Sequence, residues 1–439
     1  MKRLLVLLVS IAAAGRGQEV APSLLSRGMI ADLRPGRFET VFQPYIGTLG
    51  GYDSGPLTLD LGRGDGPFEE FDGGLAARRS SRSVSADLDY RFGARHYFYN
   101  RRLDRSNHEL HLDTRLRLSR RWSLLLQDSA TSYSFGRDLA ETPAGLVTGL
   151  PVEGGPDVLH TRTLANTGLA DLVFAPTART SLAVGGDGFF VDWQFRGLAD
   201  VAGWRARADL AHRLTRHQTV SLAYSFTKFD YQHSFGGADY AVLAAGYAVR
   251  LGRGSELDLL GGAGRLRSAA VRPVELDPEI ARLLGVARGA EIFRLDTWTP
   301  HLLAAFTQAW GRVQLRAEYV RMATDGGGLS GLERRNRVAV MVSGPLSRRV
   351  RMSLQVAGYT HRSLDTRLYD GRAVSSGLTL SRRLGSQAEV VARYAYSFHN
   401  FERGLLQHFN RHQASVGLLF YFKPLERSEP APGLALASR

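Results

Sequence analysis

The chain has 439 residues, 44% of them hydrophobic, no cysteine, and a formal net charge of +14 carried almost entirely by arginine. No stretch beyond its first residues approaches the roughly twenty apolar residues that an α-helix needs to cross a bilayer, which argues against a helical membrane protein, and no disulfide can staple the fold. A basic balance is one footprint of nucleic-acid binding, but no basic helix or stripe accompanies it, so nucleic acid is not an expected partner.

Lys2 and Arg3, an apolar run from Leu4 to Ala14 and then small residues have the layout of a secretory signal peptide over residues 1–17, with 18–37 as an N-terminal periplasmic segment. A first strand is predicted at 40–52. Eight hairpins follow: 74–78 with 84–92, 108–118 with 122–135, 165–174 with 180–195, 204–214 with 219–231, 240–251 with 256–266, 301–310 with 313–322, 337–342 with 350–359, and 376–382 with 388–398. A closing strand at 412–422 brings the total to eighteen, with sixteen as the alternative count. Gly, Pro and Ser at many joints suit tight turns.

Side chains on a strand alternate between faces, so a period of two reports two different surroundings. Val313, Leu315, Ala317 and Tyr319 oppose Arg312, Gln314, Arg316 and Glu318; Trp204, Ala206, Ala208 and Leu210 oppose Arg205, Arg207 and Asp209. Leu110, Leu112, Leu116 and Leu118 likewise oppose His111, Asp113, Arg115 and Arg117. A soluble sandwich would bury the apolar face, whereas a barrel in lipid turns it outward. Connections within pairs are short and those between pairs mostly longer, which a sandwich has no reason to do. That asymmetry predicts an all-β fold: a closed antiparallel transmembrane β-barrel over 38–422, with short periplasmic turns and long outer loops. Residues 423–439 lack periodicity and are expected to be a disordered periplasmic tail. Phe226, Phe229, Tyr231, Tyr394, Tyr396 and Phe398 read as an interfacial girdle, or as ordinary cross-strand packing.

The opening strand ProTyrIleGlyThrLeuGlyGlyTyrAspSer (44–54), the hairpin rhythm and the closing AlaSerValGlyLeuLeuPheTyrPhe (414–422) carry a resemblance. In these features the chain resembles bacterial outer-membrane β-barrel porins, and more narrowly the porin-type barrels associated with exopolysaccharide secretion. The resemblance implies an integral protein of a Gram-negative outer membrane. It implies a channel, not an enzyme, that passes polar or anionic solutes or assists exopolysaccharide export. The implied partners are outer-membrane lipid and lipopolysaccharide, the barrel-assembly machinery, and polysaccharide-export components; no cofactor or metal is implied.

The strand positions assigned to the lumen are Arg115, Arg117, Arg205, Arg207, Asp209, Arg312, Arg316, Glu318, Arg351, Glu389 and Arg393. Opposed charges there could orient and screen polar solutes, or cross-pair and fill a narrow lumen. A short helix is predicted from Asp277 to Gly289, with Asp277 at the N-cap, Pro278 in the first turn and Ile280, Leu283 and Leu284 at helical spacing. Folded inward, it would make Asp277, Glu279 and Arg282 constriction-loop residues; the other reading leaves it on the rim. Arginines such as Arg79, Arg121, Arg216 and Arg348 gather at the short turns, where they could touch anionic headgroups, draw in anions, or simply keep the turns wet.

Enzymatic signals are weak. His361, Ser363 and Asp365 lie near one another in a loop start, and His399, His408 and His412 with Glu402 match no metal signature. The acidic stretch from Asp60 to Asp72 lacks EF-hand spacing and reads as a solvated loop. An enzyme or adhesin carried on barrel loops, and a soluble secreted β protein, are the competing readings.

Overall fold

The computed structural model describes residues 39–427 apart from 56, 59–61, 64, 134–162, 194–197, 233–235, 253, 325–331, 365–369 and 402–407. The expected signal peptide, and the N-terminal segment up to residue 38, therefore lie outside the described residues. The barrel strands are β1 (Glu39–Asp53), β2 (Gly66–Ser80), β3 (Val84–Tyr97), β4 (Arg105–Arg117), β5 (Trp122–Tyr133), β6 (Thr163–Phe174), β7 (Thr180–Trp193), β8 (Asp200–Arg213) and β9 (Gln218–Gln232). They continue as β10 (Gly236–Arg250), β11 (Ser255–Glu275), β12 (Arg288–Trp310), β13 (Val313–Thr324), β14 (Glu333–Pro345), β15 (Val350–Ser363), β16 (Asp370–Arg383), β17 (Ala388–Phe401) and β18 (His408–Tyr421).

Each strand is antiparallel to the next, and β1 pairs with β18 from Tyr45 opposite Tyr421 to Asp53 opposite Gln413. The described residues thus close an eighteen-strand barrel. Closure leaves no long edge to template aggregation. Several strands start earlier than the alternation suggests: β2 at Gly66, β8 at Asp200 and β14 at Glu333. In GluArgArgAsn (333–336) both faces are polar, so the two-residue signal fades there. The segment after Phe422 is not unstructured at its start, because Leu425–Arg427 pair with Thr40 to Phe42. β1 overruns β18 at this end, and the extra pairing satisfies backbone groups that would otherwise be left open.

Short turns join the hairpins at one end, and several share a device. The hydroxyl of Ser119 accepts from the backbone N–H of Arg121 (3.2 Å) and Trp122 (3.1 Å). Thr177 does the same for Arg179 (3.2 Å) and Thr180 (3.0 Å), and Ser347 for Arg349 (3.4 Å) and Val350 (3.1 Å). A Ser or Thr opening the turn thus satisfies two donors that the ladder cannot. The turn between β12 and β13 uses Gly311 instead, at φ 61°, where a side chain would be strained.

Most outward positions in the middle of the strands are apolar. Leu243 on β10 is 56% exposed, while its neighbours Val242 and Ala244 are buried on the inner face. On β1, Phe42, Ile46 and Tyr52 face outward. Ten residues of strand separate Phe42 from Tyr52, roughly 33 Å along the strand and about 25 Å along the axis of a tilted barrel, the height of a hydrocarbon band. Aromatic pairs mark its two margins: Trp122 stacks on Phe174 at 4.5 Å near the short turns, and Trp204 meets Phe226 at 5.5 Å toward the other end. Two expected girdle residues do not belong to it. Phe229 and Tyr231 point inward and are buried, since both sit an odd number of positions from the outward Phe226.

β11 and β12 are the longest strands, at 21 and 23 residues, so most of the expected loop between them is an extended hairpin. Its tip carries α1 (Pro278–Leu284). Asp277 Oδ1 accepts from the Glu279 N–H at 2.9 Å, the expected N-cap, but the helix stops at Gly285 (φ 68°) and Gly289 lies within β12. The earlier glycine already supplies the left-handed cap. No residue of the helix is buried, and none of the described helices is long and apolar enough to cross a membrane.

Candidate functional site

The inner face concentrates the charge, and its side chains are grouped on three parts of the wall. On β6, β7 and β8, Arg205 Nε donates to Asp187 at 2.8 Å and Arg207 Nε to Asp171 at 2.9 Å, all four residues buried. Arg205 and Asp187 are direct cross-strand partners, so the ladder itself holds the ions together. Asp209 follows one inward step further along β8 and adds negative charge near Arg205.

The second group spans β13, β14 and β15. Glu318 pairs with Arg337 and lies 3.3 Å from Arg316 Nε. Above it, Glu333 accepts from Arg335 Nε at 2.9 Å and from the Thr324 hydroxyl at 3.1 Å, and sits 3.0 Å from His361 Nδ1. His361 therefore serves a buried ionic network. Ser363 is buried on the same face, and Asp365 lies outside the described residues.

The third group locks the seam where the barrel closes. Arg411 of β18 donates to Asp53 of β1 at 2.9 Å, and the Tyr97 hydroxyl donates to the same carboxylate at 3.0 Å. Arg95 donates to Glu70 at 2.8 Å and lies 4.1 Å over the Phe68 ring. Glu70 and Asp72, expected in a solvated loop, are strand residues facing inward, and Asp72 lies 3.4 Å from Arg393. Toward the short turns, Tyr421 donates to Glu389 at 3.2 Å, with Arg351 close by.

Between these groups the wall is greasy. Phe189, Trp193, Phe229, Tyr231, Tyr240 and Leu266 form one buried inward cluster, joined by Ala323 at the end of β13 and Leu332 just before β14. Met322, Ala323 and Thr324 are buried in succession, so alternation is lost and the end of β13 turns inward. Tyr240 packs in the same cluster as Ala323 and lies 3.5 Å from His301 Nδ1. The long-loop half of the lumen is narrowed by its own wall.

Arg205, Arg207, Asp209, Arg316, Glu318, Arg351, Glu389 and Arg393 occupy inward strand positions, as does Arg115, which lies 3.4 Å from Asp113. Arg117 is exposed beside the turn, and Arg312 is in the turn itself, not on a strand. Asp277, Glu279 and Arg282 are exposed at the hairpin tip. Asp53, Glu70, Arg95, Asp171, Asp187, Arg335 and Arg411 were not among the lumen positions read from the sequence. Each shares parity with an inward residue on its own strand, which is the signal that would have found them.

Among the described residues no three His, Asp or Glu side chains gather in a way that could hold a metal. Chemically, the inner face offers guanidinium forks already aligned on carboxylates, beside an aromatic shelf. Such forks can exchange a protein carboxylate for a passing anion.

The class defined by this fold is a closed antiparallel β-barrel with an apolar outer belt and an ionic inner wall. No family model matches the chain, and no curated protein matches it by sequence. Solved structures similar in shape include Pseudomonas aeruginosa OccK9 (OpdG), 13% identical over 88% of this chain and 98% of its own, with a TM-score of 0.43. P. aeruginosa OccK2 (OpdF) is 14% identical over 90% of this chain and 100% of its own, with a TM-score of 0.45. P. aeruginosa OpdK, solved with vanillate, is 11% identical over 89% of this chain and 100% of its own, with a TM-score of 0.42.

Proposed function

We propose that the protein is an integral outer-membrane channel that passes small polar or anionic solutes. The observation that carries this reading is the opposition of the two faces around a closed wall: exposed Leu, Val and aromatic side chains outside, arginine–carboxylate clusters inside. A barrel with that polarity is stable where lipid surrounds it and water enters it. The inner aromatic shelf makes it a narrow channel, so its conductance steps should be small. The finer implication, assistance to exopolysaccharide export, has no observation on the inner wall behind it, and a loop-borne enzyme or adhesin has none in the described loops.

The test is ion selectivity in planar bilayers, comparing the refolded full chain with the double variant Arg205→Gln, Arg207→Gln. The native channel should prefer anions; the variant, whose barrel is less stable because Asp171 and Asp187 are left buried without their partners, should still insert and should lose most of that preference. An unchanged reversal potential would remove these arginines from the permeation path.

A further inference from the structure

Arginines on the outer face of β13, β14 and β15 are placed differently from every arginine described so far. Along these strands, outward positions change from apolar to cationic within one to three steps. Val338 and Val340 on β14 and Val356 on β15 are exposed in the belt. Toward the long-loop end they give way to Asn336 and Thr360, and then to Arg334 and Arg362. On β13 the outward Tyr319 is followed by Arg321.

Register brings these arginines together. Arg334 is the direct cross-strand partner of Arg362, and Arg321 is the partner of Asn336, whose amide donates to Thr360 at 2.8 Å. Adjacent strands lie about 4.8 Å apart, and like charges directly opposed are unfavourable unless something neutralises them. Asp370, opposite Arg362 on β16, adds negative charge near Arg334 but makes no ion pair with any of the three among the described residues, so it neutralises the cluster only in part. The Nε–H groups of Arg321 and Arg334 are shielded and have no hydrogen-bond partner. On the neighbouring hairpin, by contrast, outward Arg265 is paired with Asp296 at 2.7 Å and 3.0 Å.

Three unpaired guanidiniums at the edge of an apolar belt match one layer of the membrane, the phosphorylated headgroups of the leaflet at the long-loop end. We propose that Arg321, Arg334 and Arg362 form a binding site for the phosphates of lipid A in the outer leaflet. The inference rests on the membrane reading above. A phosphate monoester supplies the missing negative charge and several acceptor oxygens, and the planar forks suit it bidentately. Lipid bound there would neutralise the opposed pair and fix the barrel's depth through three strands.

The test is native mass spectrometry of the full chain refolded in detergent and titrated with lipid A bearing both phosphates, or with the same lipid after dephosphorylation. The variants are R321Q/R334Q/R362Q, the single R362Q, and a control at the short turns, R120Q/R121Q/R216Q. The native chain and the control should hold the phosphorylated lipid equally, and the triple variant should lose at least about tenfold in affinity. R362Q, whose side chain is exposed and spares the fold, should show a smaller loss in the same direction. Excess inorganic phosphate should not displace the lipid. Equal binding by the native chain and R362Q, equal loss in the control, or indifference to the lipid's phosphates would each overturn the proposal. Displacement by inorganic phosphate would instead assign the site to a free anion and overturn its lipid identity. Conductance of the same samples keeps the two readings apart: arginine-dependent lipid binding without conductance sinks only the channel, and conductance without such binding sinks only this site.

Discussion

On β14, consecutive arginines part company: Arg335 and Arg337 turn inward, while Arg334 turns outward. The inward pair is buried and each member meets a carboxylate, Glu333 or Glu318. The outward residue meets another arginine across the ladder. The difference shows that chain register, not composition, decides what a charge does in this barrel. Inside, ions desolvated by the wall must be matched within the protein, because an unmatched one costs several kcal/mol. Outside, at the edge of the belt, a charge can be matched by something that is not protein.

The largest expected effect comes from breaking an inner match. Asp53→Ala leaves Arg411 buried at the seam without its carboxylate, beside Arg95, which keeps Glu70. Urea-induced unfolding of the refolded barrel should show a loss of about 3–5 kcal/mol. Next comes placing a new charge among the apolar side chains of the belt. Leu243→Arg puts a guanidinium in the middle of the belt, and folding into lipid vesicles should become less favourable by about 2–4 kcal/mol. A smaller effect belongs to the turns. Gly311→Ala forces a side chain into a left-handed backbone, costing about 1–2 kcal/mol in the same assay, whereas an alanine at the exposed Gly252 should cost less. The smallest is Arg265→Gln: its partner Asp296 is solvated, so the unfolding midpoint should not move measurably, in contrast with Asp53→Ala.

Much of the barrel was legible because most strands carry one greasy and one polar face. Segments such as 312–319 and 204–210 keep strict alternation, and the short turns between them fix the hairpins; eighteen strands follow from counting these. What faded were the long-loop ends, where Glu333 to Asn336 is polar on both faces and Phe229 and Tyr231 are apolar on the inner one. The inner aromatic shelf was therefore hidden, although Phe226 and Phe229, three residues apart, cannot share a face of one regular strand. The helix end was misjudged because Gly285 and Gly289 both offer a cap, and only the backbone shows which is left-handed. The ionic partners across different hairpins, such as Arg207 with Asp171, depend on the registers of two consecutive ladders, which no single segment encodes.

The most direct test of the account is single-channel recording from the refolded full chain in a planar bilayer under a salt gradient. Small discrete steps with a reversal potential on the anion side are the predicted result. Stable insertion of the barrel with no conductance, or steps that prefer cations, would contradict it.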